Sequence, residues 1–163
     1  AQGIVVPHVN TVEEAAAVVE SAKFQPLGNR GNFTSRQGYG VKDYVSKAND
    51  ETLVIILIED VISINNLKEI LTVDHIDVFF VAPGDLAQTM GFPGQPEHPE
   101  VVSVVETAIN TITEAGKVAG SVVTDETAEA RVSAGARFLY CSWMPWLETG
   151  AKNYLSKIAN ASR

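Results

Sequence analysis

The chain has 163 residues, 45% of them apolar and 20% charged, with a formal net charge of −8. That length supports one domain with a real core, and that balance excludes a disordered chain. No basic cluster stands out and no apolar run reaches the length of a membrane helix, which argues against nucleic acid and membrane partners.

Gly3-Ile4-Val5-Val6 reads as a short strand closed by Pro7. Thr11-Val12-Glu13-Glu14 has capping-box spacing and predicts a helix to about Lys23. Phe24 to Gly40 is a long loop with Pro26, Arg30 and Arg36, and loops of this length in a domain usually serve function or move. A helix follows over roughly Val41 to Ala48, then the buried strand Leu53–Ile58. Val61, Ile64, Leu67, Ile70 and Leu71 recur at helical spacing, predicting one helix over 61–71.

Asp77–Val81 is the next strand, stopped by Pro83-Gly84 and followed by a short helical run from Leu86 to Met90. Gly91 to Glu97 is a Gly/Pro loop. Pro99 suits the first turn of a helix ending at Gly116, with His98 as its cap. Val118–Val123 is a strand, Thr124 caps a helix through Ala134, and Arg137–Cys141 is the last strand. Cys141 is the single cysteine and lies in an apolar run, so a buried, reduced thiol is expected, which fits the cytoplasm. Trp143-Met144-Pro145-Trp146 precedes a final helix over about 147–159. Residue 1 is Ala and no signal peptide is visible, so the chain is expected to start part-way into a longer protein.

Five buried strands alternating with helices predict a parallel sheet with right-handed crossovers. Two adjacent strands end in acid. Leu53–Ile58 runs into Glu59-Asp60, and Phe79-Phe80-Val81-Ala82-Pro83-Gly84 into Asp85. Carboxyl ends of parallel strands are where α/β proteins place chemistry, so Glu59 and Asp85 form a candidate pair; acids that merely cap helices are the competing explanation. Neighbours on a strand point to opposite faces, so Asp60 is expected to cap the next helix.

The stretches Ile58-Glu59, Asp77 to Ala87, Met90-Gly91-Phe92-Pro93-Gly94-Gln95 and His98-Pro99-Glu100-Val101 resemble the HpcH/HpaI family of metal-dependent (class II) pyruvate aldolases. Pro26-Leu27-Gly28-Asn29-Arg30-Gly31 and Ala115-Gly116-Lys117-Val118-Ala119-Gly120 continue the match in order. The resemblance implies a (β/α)8 TIM barrel of the phosphoenolpyruvate/pyruvate-binding type. Such a barrel needs about 250 residues, so residues 1–163 would be its C-terminal portion, one domain holding the last five β/α units.

It further implies cleavage or formation of 4-hydroxy-2-oxo acids, giving pyruvate and an aldehyde. Glu59 and Asp85 would bind a divalent metal (Mg, Mn or Co). The amides around Gly84, with Asp85, would take the carboxylate of the 2-oxo acid, unless they form a plain strand-to-helix turn. Arg30 matches a Gly-x-Arg-Gly loop near the barrel mouth, where it would meet substrate, a neighbouring subunit or only solvent. The family's catalytic His and its keto-binding Arg would lie upstream of residue 1. His8 follows the first strand where the family usually has an apolar residue, and is a weak catalytic candidate beside a packing role. His75 precedes a strand and is expected to be structural.

Leu57 departs from the Gln that many members carry, which bears on substrate. Trp143 and Trp146 would shape a pocket wall or an interface. The turns Thr124-Asp125-Glu126 and Ser142-Trp143-Met144 offer no phosphate cradle, so a phosphorylated substrate is not expected. Members commonly assemble as hexamers built from dimers with an exchanged last helix, so the resemblance implies a homo-oligomer, against a last helix folded on its own barrel. Two alternatives remain: a citrate-lyase-β-like lyase acting on an acyl-CoA, and a non-catalytic barrel fragment.

Overall fold

The computed structural model describes residues 1–33 and 35–161. Five parallel strands lie side by side in chain order: β1 (Gly3–Val6), β2 (Leu53–Ile58), β3 (Val78–Val81), β4 (Ala119–Val123) and β5 (Phe138–Cys141). Between them run α1 (Val12–Ala22), α2 (Ser35–Gly38), α3 (Tyr44–Glu51), α4 (Val61–Asn65), α5 (Leu67–Ile70), α6 (Pro83–Thr89), α7 (Pro99–Glu114) and α8 (Ala128–Ser133), and α9 (Met144–Ala161) closes the chain. The result is a parallel α/β half-barrel.

Strand alternation sorts the apolar residues onto two faces. Val54, Ile56 and Ile58 of β2, with Phe79 and Val81 of β3, face α1, α5 and α7 and form the main core. Ile55, Val78 and Phe80 form a second cluster on the concave face, joined by Leu57, Ala82, Val122 and Phe138. Both faces of β3 are therefore covered, and all four of its residues are buried. The outer strands fare differently. Val5 of β1 is 56% exposed and Tyr140 of β5 is 58% exposed, so the concave face is open at both edges.

Several expected boundaries move, each for a local reason. The 61–71 segment is two short helices, because Asn66 leaves helical geometry (φ −94°, ψ 5°) while its side-chain amide donates to the Asn10 carbonyl at 2.9 Å. Pro83 does not merely stop β3 but opens α6 at its first position, which places Asp85 inside the first turn. Thr124 does not cap α8; its amide donates to Thr127 Oγ1 at 2.9 Å, and Thr127 is the cap position. The 24–40 loop contains the short α2, and α3 starts three residues later than expected. Cys141 is half-buried rather than buried, because β5 is an edge strand.

Other local readings stand as expected. Thr11 caps α1 in a full capping box with Glu14. Asp60 caps α4, its Oδ1 accepting the Ile62 amide at 2.7 Å. His98 caps α7 through Nδ1 and stacks on Phe92 at 3.7 Å between ring centroids.

Candidate active site

The carboxyl ends of the strands gather the acids. Glu59 directly follows β2 and shares the parity of Ile55 and Leu57, so it belongs to the concave face, whereas Asp60 belongs to the helix face. Glu59 is 2% exposed. A buried carboxylate needs a donor. The donor is the backbone of His8, whose N–H reaches Glu59 Oε1 at 2.8 Å. The imidazole follows, with Nδ1 at 3.5 Å from the same oxygen.

Asp85 reaches the same edge from the neighbouring strand. Ile58 pairs with Val81, and the Ala82 amide donates to the Ile58 carbonyl at 3.1 Å, so β2 and β3 end side by side. Three residues after Ala82 comes Asp85, exposed in the first turn of α6, where helix amides favour negative charge. Among the described residues its carboxylate has no hydrogen bond or ion pair, and no hydrogen bond engages Glu59 Oε2. Gly84 beside it is exposed, and a Cβ built there would meet nothing within 4 Å.

The donor set suits a hard divalent cation. Two carboxylates from adjacent elements supply oxygen ligands, and such ions take the rest of their shell from waters and substrate oxygens. Among the described residues no group of three or more His, Cys, Asp or Glu side chains is placed to hold a metal ion. Leu57, on the same face below Glu59, is half-buried and apolar.

Other sequence candidates lie elsewhere. Arg30 does not join Glu59 and Asp85. Its amide donates to the Lys23 carbonyl, its guanidinium lies 4.5 Å from the Phe24 ring centroid, and Lys23 in turn donates to Thr52, just before β2 begins. Arg30 thus sits at the amino ends of the strands, since α1 runs back from the carboxyl end of β1. His75 is exposed just before β3, also at that end. Trp146 sits at the carboxyl end, where its Nε1–H donates to Asp125 at 2.9 and 3.1 Å. A small cavity of about 180 Å³ lies there, lined by Val123, Asp125, Glu126, Cys141, Ser142 and Trp146. Glu126 on its rim is held below the usual carboxylate range, chiefly by the Thr124 side-chain hydrogen bond and then by a backbone bond.

Sequence reasoning missed the His8 amide. A backbone donor belongs to every residue, and only the third dimension shows that this one turns toward Glu59.

The fold is that of a parallel α/β half-barrel, consistent with part of a TIM-like barrel. The chain belongs to the HpcH/HpaI aldolase/citrate lyase family, which matches residues 1–140. It is 38% identical over 144 residues to a 2-keto-3-deoxy-L-rhamnonate aldolase of Klebsiella pneumoniae, covering 85% of this chain and 54% of that protein. It is 36% identical over 143 residues to a 4-hydroxy-2-oxo-heptane-1,7-dioate aldolase of Shigella sonnei, covering 85% of this chain and 55% of that protein. The crystal structure of an HpcH/HpaI aldolase from Desulfitobacterium hafniense superposes with a TM-score of 0.84 at 29% identity, over 97% of this chain and 64% of that one. The chain spans about half the length of the curated relatives it matches. Among the described residues no helix is long and apolar enough to cross a membrane.

Proposed function

We propose that the intact protein is a metal-dependent aldolase that cleaves or forms a 4-hydroxy-2-oxo acid, exchanging it with pyruvate and an aldehyde. The observation that supports this reading is that a buried Glu59 and an exposed, unpaired Asp85 follow the carboxyl ends of the neighbouring strands β2 and β3. The aldolase names of relatives at 36–38% identity support the reaction class. Residues 1–163 would be the C-terminal portion of an eight-stranded pyruvate-binding barrel, whose remaining strands cover the open edges at β1 and β5.

Glu59 and Asp85 would hold Mg, Mn or Co. When bound, the cation supplies positive charge for the negative charge that develops on the keto oxygen as the C3–C4 bond breaks. Glu59, fixed by His8, offers an oriented carboxylate. Asp85 offers a second from a helix start, and the open space at Gly84 leaves room for the substrate carboxylate beside the first-turn amides. Leu57 makes the wall below Glu59 apolar, which favours an uncharged part of the substrate there. The acidic Thr124-Asp125-Glu126 turn disfavours a phosphorylated aldehyde. An acyl-CoA substrate would call for basic residues near the site to meet the CoA phosphates, and Arg30 instead packs on Phe24 at the amino ends of the strands.

We also propose a homo-oligomer, a hexamer in the manner of the family, in the cytoplasm. The support for assembly is α9, eighteen residues without one buried side chain. Manganese titration and pyruvate release by the intact protein test the catalytic reading. EDTA should abolish turnover, and Glu59→Gln and Asp85→Asn should each remove tight Mn²⁺ binding. Normal metal binding by both variants would end it.

A further inference from the structure

His8 is a non-glycine residue with φ of 54°. Left-handed backbone is uncommon for side-chain-bearing residues, is tolerated best by Asn, Asp and His, and is a genuine outlier for β-branched ones. Such geometry persists where the surroundings hold it, and it concentrates at functional sites. Here a specific partner is visible. The turn after β1 aims the His8 N–H at Glu59 Oε1, 51 residues away in sequence, at 2.8 Å. The imidazole itself stands 67% exposed, with its nearer nitrogen at 3.5 Å, beyond a good hydrogen bond. Glu59 is 2% exposed and makes no other hydrogen bond among the described residues.

We infer that His8 is a positioning residue that acts through its backbone: the left-handed turn at residue 8 points one amide at Glu59 Oε1, fixing the carboxylate's orientation and leaving Oε2 for the ligand of the site. The inference rests on the cation reading of Glu59 for its consequence, but not for the contact itself. Histidine meets the need because it tolerates this backbone. The requirement is for the conformation, not for imidazole chemistry.

Two measurements on the intact protein test it. In metal-free protein, amide hydrogen exchange at residue 8 should be slow although the residue is exposed. Glu59→Ala should speed it about tenfold or more, while the Ala82 amide, bonded to Ile58, stays protected as the internal fold control. In Mn²⁺ titrations, His8→Gly and His8→Asn should stay within about threefold of wild type, whereas His8→Val, forced off its preferred backbone, should weaken binding about tenfold or more. Equal losses in all three variants would assign the effect to the imidazole and overturn the inference. So would an unchanged His8→Val, or fast exchange at residue 8 that ignores Glu59→Ala. A wild-type protein that binds no Mn²⁺ would sink the cation reading, while the exchange result would still uphold or refute the contact.

Discussion

Phe80 and Gly120 sit opposite each other in the β3–β4 register, and a Cβ at residue 120 would lie 2.7 Å from Phe80 Cδ2 and 2.9 Å from the Phe138 carbonyl oxygen. The missing side chain at 120 is what lets the Phe80 ring lie on the concave face and meet Phe138 edge-on, at 6.2 Å between centroids. Gly120→Ala should therefore cost about 1–3 kcal/mol through overpacking, read as a lower urea midpoint at unchanged slope. A neutral substitution would mean that the Phe80–Phe138 pair shifts freely.

Adjacent acids should separate by face. Asp60→Ala removes the α4 cap and should cost about 1 kcal/mol of stability with Mn²⁺ affinity unchanged. Glu59→Gln should do the reverse, losing the cation with little change in stability. Calorimetric melting beside Mn²⁺ titration measures both, and a metal defect in Asp60→Ala would contradict the strand parity.

Lys23 is 3% exposed and donates to the carbonyls of Asn49 and Thr52 at 2.7 Å each. It ties the end of α1 to the end of α3 and the entry to β2. Asn49 closes the same joint, exchanging two hydrogen bonds with the Phe24 backbone. Lys23→Met keeps the stem but strands two carbonyls, which should cost about 3 kcal/mol in chemical denaturation. A loss below about 0.5 kcal/mol would place the joint outside the cooperative core.

The Glu126 carboxyl should titrate below an ordinary glutamate, and Thr124→Val should move it back up, because the Thr124 side chain is the largest cause of the lowering. The folded state thus prefers the ionised form. Its contribution is present above the unfolded value and is lost as pH falls through the lowered, folded one. A carboxyl NMR titration of both proteins checks the direction. An unmoved Glu126 in Thr124→Val would assign the lowering to the backbone bond.

Trp143 is 61% exposed, and Met144, Leu147, Tyr154 and Leu155 are each more than half exposed. Buried aromatics dominate interface energies, so Trp143→Ala with Trp146→Ala should shift the assembly toward smaller species or aggregates. Light scattering after size exclusion decides it. A stable wild-type monomer at micromolar concentration would remove the assembly proposal.

Local physics made much of this protein legible from its sequence. A short β-branched run such as Leu53–Ile58 reads as a strand, the Thr11–Glu14 spacing writes its own cap, and strand alternation by itself assigns Glu59 and Asp60 to opposite faces. The β/α alternation then gives a parallel sheet in chain order, with the two acids brought to one edge. Contacts between distant segments were not legible. Asn66 breaks the expected helix because Asn10 lies within reach of its amide, and Arg30 sits at the amino ends of the strands because α1 carries it there to stack on Phe24. Cys141 lies in an apolar run yet is half-buried, since an edge strand has a neighbour on one side only. Only the tertiary structure could turn the His8 amide onto Glu59, because a backbone donor has no letter of its own and its direction depends on a torsion angle and on a strand 51 residues away.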